Sequence, residues 1–181
     1  MSAPGRIVYK DRKEAKLLIL HDSHTPPDHT AIEDVPRWET LAEAGSKRMG
    51  LLSIGYHYII ERDGEVVQCQ NREKIGAHTP GRNMDSIGIC LVGGRSEVPI
   101  GPFEDFQHVH HAYYPDDNFT PEQRLALLGL LNELLVAYPQ ALVKGHSEVQ
   151  HYRNRKLPKC PFLDMDLLRE DVELYAQGIV L

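Results

Sequence analysis

The sequence predicts an α/β domain, a mixed central β-sheet flanked by helices on both faces. Three observations lead there. Short apolar runs of strand length, Lys16–Leu20 and Ser86–Val92, alternate with amphipathic stretches of helix length. An Asp63-Gly64 pair joins two alternating segments, which predicts one antiparallel hairpin. A chain of 181 residues, 41% of them hydrophobic, is enough for one core and hardly for two, so a single domain over residues 1–181 is expected.

The elements follow in order. Lys16–Leu20, KLLIL, is a strand that ends at His21, because Thr25-Pro26-Pro27 stops regular structure soon after. Glu33–Ala44 reads as a helix, with Pro36 near its first turn and Gly45 after its end. In Gly55–Cys69, Tyr56, Tyr58 and Ile60 alternate with His57 and Ile59 before the turn, and Glu65–Cys69 returns. Strict alternation would put His57 on the face opposite Tyr56, as a structural residue. Ser86–Val92, SIGICLV, is apolar almost throughout, as a buried central strand should be. Gly94–Asn118 is the least regular stretch and is expected to be a surface excursion carrying the cluster His108, His110 and His111. Thr120, Pro121 and Gln123 form a capping box ahead of Leu127, Leu128, Leu131, Leu134 and Leu135, one apolar helical face that Pro139 ends. Ala141–Val143 is a short strand leading to His146. A helix over 164–176 closes the domain.

Composition narrows the function classes. A net charge of −6 argues against a general nucleic-acid binder, which needs a basic face to release counterions. Apolar runs stop well short of the roughly 20 residues that span a bilayer. The opening residues, MSAPGRIVYKDRKE, contain no hydrophobic leader core, so synthesis and retention in a cytosol are expected. Three cysteines, Cys69, Cys90 and Cys160, make no disulfide framework, and Cys90 reads as a small core hydrophobe.

Ten histidines justify a search for a metal site. His21, His146 and Cys160 lie just past strand ends or in loops. Two imidazoles and a thiolate, with a fourth position open to water, suit a catalytic zinc ion. No CxxC or HxxxH spacing suggests a structural zinc site instead. The residues alone also leave open a cysteine amidase with Cys160 as nucleophile and His146 as base. Glu148, two residues after His146, is either a support for that ligand or a surface charge.

The segments LLILHDSHT, GYHYIIERDG, GAHTPGRNMDSIGICLVGG, NFTPEQ and KGHSEV followed by PKCP resemble, in this order, the motifs of the zinc-dependent N-acetylmuramoyl-L-alanine amidase type 2 family. That family includes the peptidoglycan recognition proteins, and the likeness is greatest to small phage lysozymes of the T7 type. It covers about residues 17–163. The resemblance implies a peptidoglycan amidase that needs Zn2+, with His21, His146 and Cys160 as metal ligands. It implies that Tyr56 acts near the metal-bound water and that His78 lines the substrate groove. The lysine usual two residues before the cysteine is replaced by Pro158, which leaves Lys159, or Lys156, for its part. A monomer acting on the wall after release from the host cytoplasm is implied, as is a second partner, a phage RNA polymerase. A non-catalytic muropeptide recogniser is the competing reading, and such proteins typically lack the cysteine ligand.

Overall fold

The computed structural model describes residues 10–28, 30, 55–99, 113–150 and 159–179. Along the chain these form β1 (Leu17–Asp22), β2 (Tyr58–Ile60), β3 (Val66–Gln68), β4 (Ser86–Leu91), β5 (Arg95–Pro99), β6 (Tyr113–Pro115), α1 (Pro121–Ala137), β7 (Leu142–Gly145), α2 (His146–Val149) and α3 (Met165–Ala176). Five strands make the main sheet in the order β3-β2-β4-β1-β7. β2, β4, β1 and β7 are parallel to one another, and β3 runs antiparallel to β2 at the edge. The sheet is mixed, as the hairpin within an otherwise strand-and-crossover pattern predicts. Among the described residues no helix is long and apolar enough to cross a membrane.

The pleat sorts side chains to two faces. Leu18 and Leu20 of β1, Ile87, Ile89 and Leu91 of β4, and Val143 of β7 pack with leucines of α1 and with Leu168 and Val172 of α3 in one buried cluster. Residues of the other parity, Ile59 and Cys90, form a smaller cluster with Val92, against which Tyr56 packs. His21 has the parity of Leu17 and Ile19 and therefore leaves β1 on the side away from α1 and α3. The helix expected over Glu33–Ala44 lies outside the described residues, as do His29, His108, His110 and His111.

The capping box at Thr120 forms as its residues require. The Thr120 hydroxyl accepts the Gln123 N–H at 3.0 Å, and Gln123 Oε1 accepts the Thr120 N–H at 3.1 Å. Gln123 does more than cap. Its buried amide donates to the carbonyls of Ile60 and Val92, at 3.1 and 2.9 Å, so the start of α1 is tied to the ends of two strands. Asp164 caps α3 by accepting the Leu167 N–H at 3.0 Å.

Two expectations change. β1 runs on through His21 and Asp22, because both still pair with β4, opposite Cys90 and Leu91. The stretch from Gly94 to Asn118 is not wholly irregular: β5 and β6 pair antiparallel as a separate ribbon. Pro99 and Pro115 sit at strand ends, where a missing N–H costs least.

Candidate metal centre

β1 and β7 are adjacent and parallel, with Leu20 opposite Gly145. The next residue on each chain is a histidine. His21 and His146 are therefore side by side although far apart in sequence, and their ring centroids lie 4.4 Å apart. His21 and Cys160 are buried, whereas His146 is half-buried and gives the cluster its open side.

Cys160 is held by the residues that follow the two histidines. After His146, the Ser147 hydroxyl accepts the Cys160 N–H at 2.6 Å, and the Ser147 N–H donates to the Cys160 carbonyl at 2.9 Å. After His21, the Asp22 carboxylate accepts the Phe162 N–H at 2.8 Å. Gly94, at φ +92°, leaves room for that carboxylate, since a Cβ there would lie 2.6 Å from Asp22 Cγ. One donor atom each from His21, His146 and Cys160 comes within 4.8 Å of the others. Asp22, His24 and Cys160 make a second such group, with His24 Nδ1 2.8 Å from Asp22 Oδ1. Sequence reasoning passed over Asp22 and Ser147, whose only signal was adjacency to a candidate ligand.

Each histidine is oriented by a further side chain. His146 Nε2 is hydrogen-bonded to Gln150 Oε1, and the Gln150 amide donates to the Pro80 carbonyl at 3.3 Å. His21 Nε2 lies 2.9 Å from His78 Nδ1 and 3.3 Å from Thr79 Oγ1. His78 was expected in the groove. It is buried, and its ring rests on Gly88, where any Cβ would come within 2.5 Å of the imidazole. Burial, with His57 and His146 nearby, pushes the His78 pKa well below the ordinary histidine value.

Tyr56 lies beside the cluster, its ring centroid 5.1 Å from that of His21. Burial first, then the nearby Cys90, Cys160 and Asp22, raise its phenol well above 10, so it keeps its proton. His57 does not point away from Tyr56. Both rings lie against His78, at 6.4 Å for Tyr56 and 5.9 Å for His57. β2 begins only at Tyr58, and the alternation that separates neighbours does not extend to residue 56. His57 is nonetheless structural: Nδ1 accepts the Gly88 N–H at 3.0 Å, and Nε2–H donates to the Lys74 carbonyl at 2.7 Å.

Lys159 is exposed, next to Cys160. Glu148 accepts the Gly145 N–H at 2.7 Å and a two-pronged contact from Arg169 at 3.0 and 2.9 Å, so it braces the turn before His146 against α3. The Arg169 hydrogen bonds hold its carboxyl below the usual range. Cys90 is fully buried, as a core residue.

Two imidazoles and a thiol converging at one half-open point are the donor set and the openness that a catalytic zinc site requires. The residues present fit that group.

Comparison with known proteins gives the family. The sequence profile of N-acetylmuramoyl-L-alanine amidases matches residues 11–161. The chain is 34% identical over 172 residues to the endolysin of Escherichia phage T7, covering 94% of this chain and 95% of that protein. It is 32% identical to the endolysin of Enterobacteria phage K11, covering 89% of each. The solved structure of the Ph2119 endolysin from Thermus scotoductus MAT2119 bacteriophage Ph2119 superposes with a TM-score of 0.61, at 25% identity, over 91% of this chain and 89% of that one. With most of its length matched by profile, relatives and fold alike, the chain belongs to the N-acetylmuramoyl-L-alanine amidase family.

Proposed function

We propose that this amidase holds one zinc ion between His21, His146 and Cys160, and cuts the amide between the lactyl group of N-acetylmuramic acid and L-alanine in peptidoglycan. The observation that carries this is the convergence of those three donors within 4.8 Å, with Cys160 fastened to Ser147 after His146, and Phe162, two residues on from Cys160, fastened to Asp22 after His21. When bound, zinc would acidify a water to a pKa of about 7 and polarise the scissile carbonyl.

The chain's own side chains supply the rest. Tyr56 remains a phenol at neutral pH and donates a hydrogen bond to the carbonyl oxygen as that oxygen gains charge. Lys159, exposed at the mouth, adds positive charge to the approach. Gln150 and His78 hold the two imidazoles in place, so the donors need little rearrangement to act. The glycan approaches over His146, the least buried of the three.

The chain works as a single unit over residues 1–181, as a monomer that stays in the host cytosol until lysis exposes the wall. Size-exclusion chromatography and fractionation test these points. The phage RNA polymerase contact rests on relatedness to T7-type lysozymes alone, and a pull-down with the cognate polymerase decides it.

Zinc content and activity, measured on the same samples of wild type and Cys160→Ala, test the main reading. Wild type should carry one zinc and release L-alanine amino termini from purified sacculi, and the variant should lose both. Wild-type activity that survives chelation would instead favour Cys160 as a nucleophile.

A further inference from the structure

We infer that Ser86, acting through His78, sets the tautomer of His21 and so selects the nitrogen that binds metal. The inference rests on the reading of His21 as a ligand and deepens it. A chain of buried hydrogen bonds runs from Ser86 through His78 to His21. Ser86 is 0% exposed, and its hydroxyl has one proton, which it donates to the Arg82 carbonyl at 2.6 Å. At the 3.3 Å contact with His78 Nε2, the Ser86 oxygen must therefore accept. His78 is a neutral ring with its proton on Nε2 and a lone pair on Nδ1.

That lone pair faces His21 Nε2 at 2.9 Å. If Nε2 also presented a lone pair, two acceptors would meet in a buried site with no proton between them, which is unfavourable. His21 therefore carries its proton on Nε2 and donates. Thr79 Oγ1, fully buried, lies 2.9 Å from His78 Nδ1 and 3.3 Å from His21 Nε2. It can donate to the first while accepting from the second, and leaves the direction unchanged. The lone pair of His21 is thus on Nδ1. His146 reaches the same state separately: the Gln150 amide donates to Pro80, so its oxygen faces His146 Nε2 and requires a proton there.

The same loop explains its own polar residues. Asn83 Oδ1 accepts the N–H groups of His78 and Thr79, at 2.9 and 2.8 Å, and fixes the backbone from which both side chains reach His21. His78 touches His21 and Ser86 touches His78, so both are positioning residues that act through the metal ligand. Ser86 lies two hydrogen bonds from His21 and on the far side of His78.

The test uses the metal-free full chain, with histidine tautomers read by 15N NMR. Wild-type His21 should be protonated on Nε2. In Ser86→Ala, His78 is released from its orientation, and His21 should show a substantial fraction protonated on Nδ1. Zinc affinity, read by chelator competition, should fall about 10–100-fold. Wild-type His21 protonated on Nδ1 overturns the inference without any variant, which covers the case in which Ser86→Ala fails to fold. A folded Ser86→Ala with an unchanged His21 tautomer also overturns it, even with weaker zinc binding, since packing alone would account for that loss. Failure of wild type to bind zinc would defeat the metal reading and leave the tautomer result standing, so the two failures are told apart.

Discussion

Asp22 Oδ2 accepts the backbone N–H of Phe162 at 2.8 Å, joining residues 140 positions apart. The contact fastens the loop that carries Cys160 to the end of β1, one residue beyond His21. The other oxygen of Asp22 accepts the His24 N–H at 3.0 Å, so the buried carboxylate serves two backbone donors. Asp22→Ala should strand both, at a cost of about 1–3 kcal/mol per group. Urea unfolding with chelator present should show that loss. Zinc titration should show weaker binding as Cys160 drifts, and an unchanged zinc affinity would mean that Ser147 holds the loop unaided.

Tyr56 and Lys159 should separate in kinetics. Tyr56→Phe removes one donor from a buried site and should lower kcat by about 10²–10³, with zinc content unchanged. Lys159→Ala removes an exposed charge, worth about 1 kcal/mol in water, so turnover should fall about fivefold with no change in Tm. A loss for Lys159→Ala as large as that for Tyr56→Phe would show that the lysine enters the site on substrate binding.

Stability should fall in acid, through His57. Burial lowers its pKa from 6.5 to about 4, and both nitrogens are already committed, one as acceptor and one as donor. Between those two values the unfolded chain binds a proton that the folded chain refuses, so stability rises with pH across this window and is lost as pH falls through it. From pH 7 to 5 the loss is about 2 kcal/mol. Urea midpoints at the two pH values check it, and His57→Gln should flatten the slope attributable to this group.

Local chemistry was legible along the chain. Thr120-Pro121 with Gln123 announced a helix start, Asp63-Gly64 a turn, and the apolar run from Ser86 a central strand, because caps, turns and pleats are decided within a few residues. His21, His146 and Cys160 could be named as donors by type and by their place near strand ends. Other features depended on neighbours remote in sequence. The parallel pairing of β1 with β7 puts residues 21 and 146 abreast, and no local pattern encodes which strands become neighbours. His57 and Tyr56 share a face because β2 starts later than the alternation suggests. His78 is buried against His21, since Gly88 leaves space for its ring. Donor types are a property of residues, whereas their spacing, burial and proton positions are set by hydrogen bonds that close only when distant segments pack together.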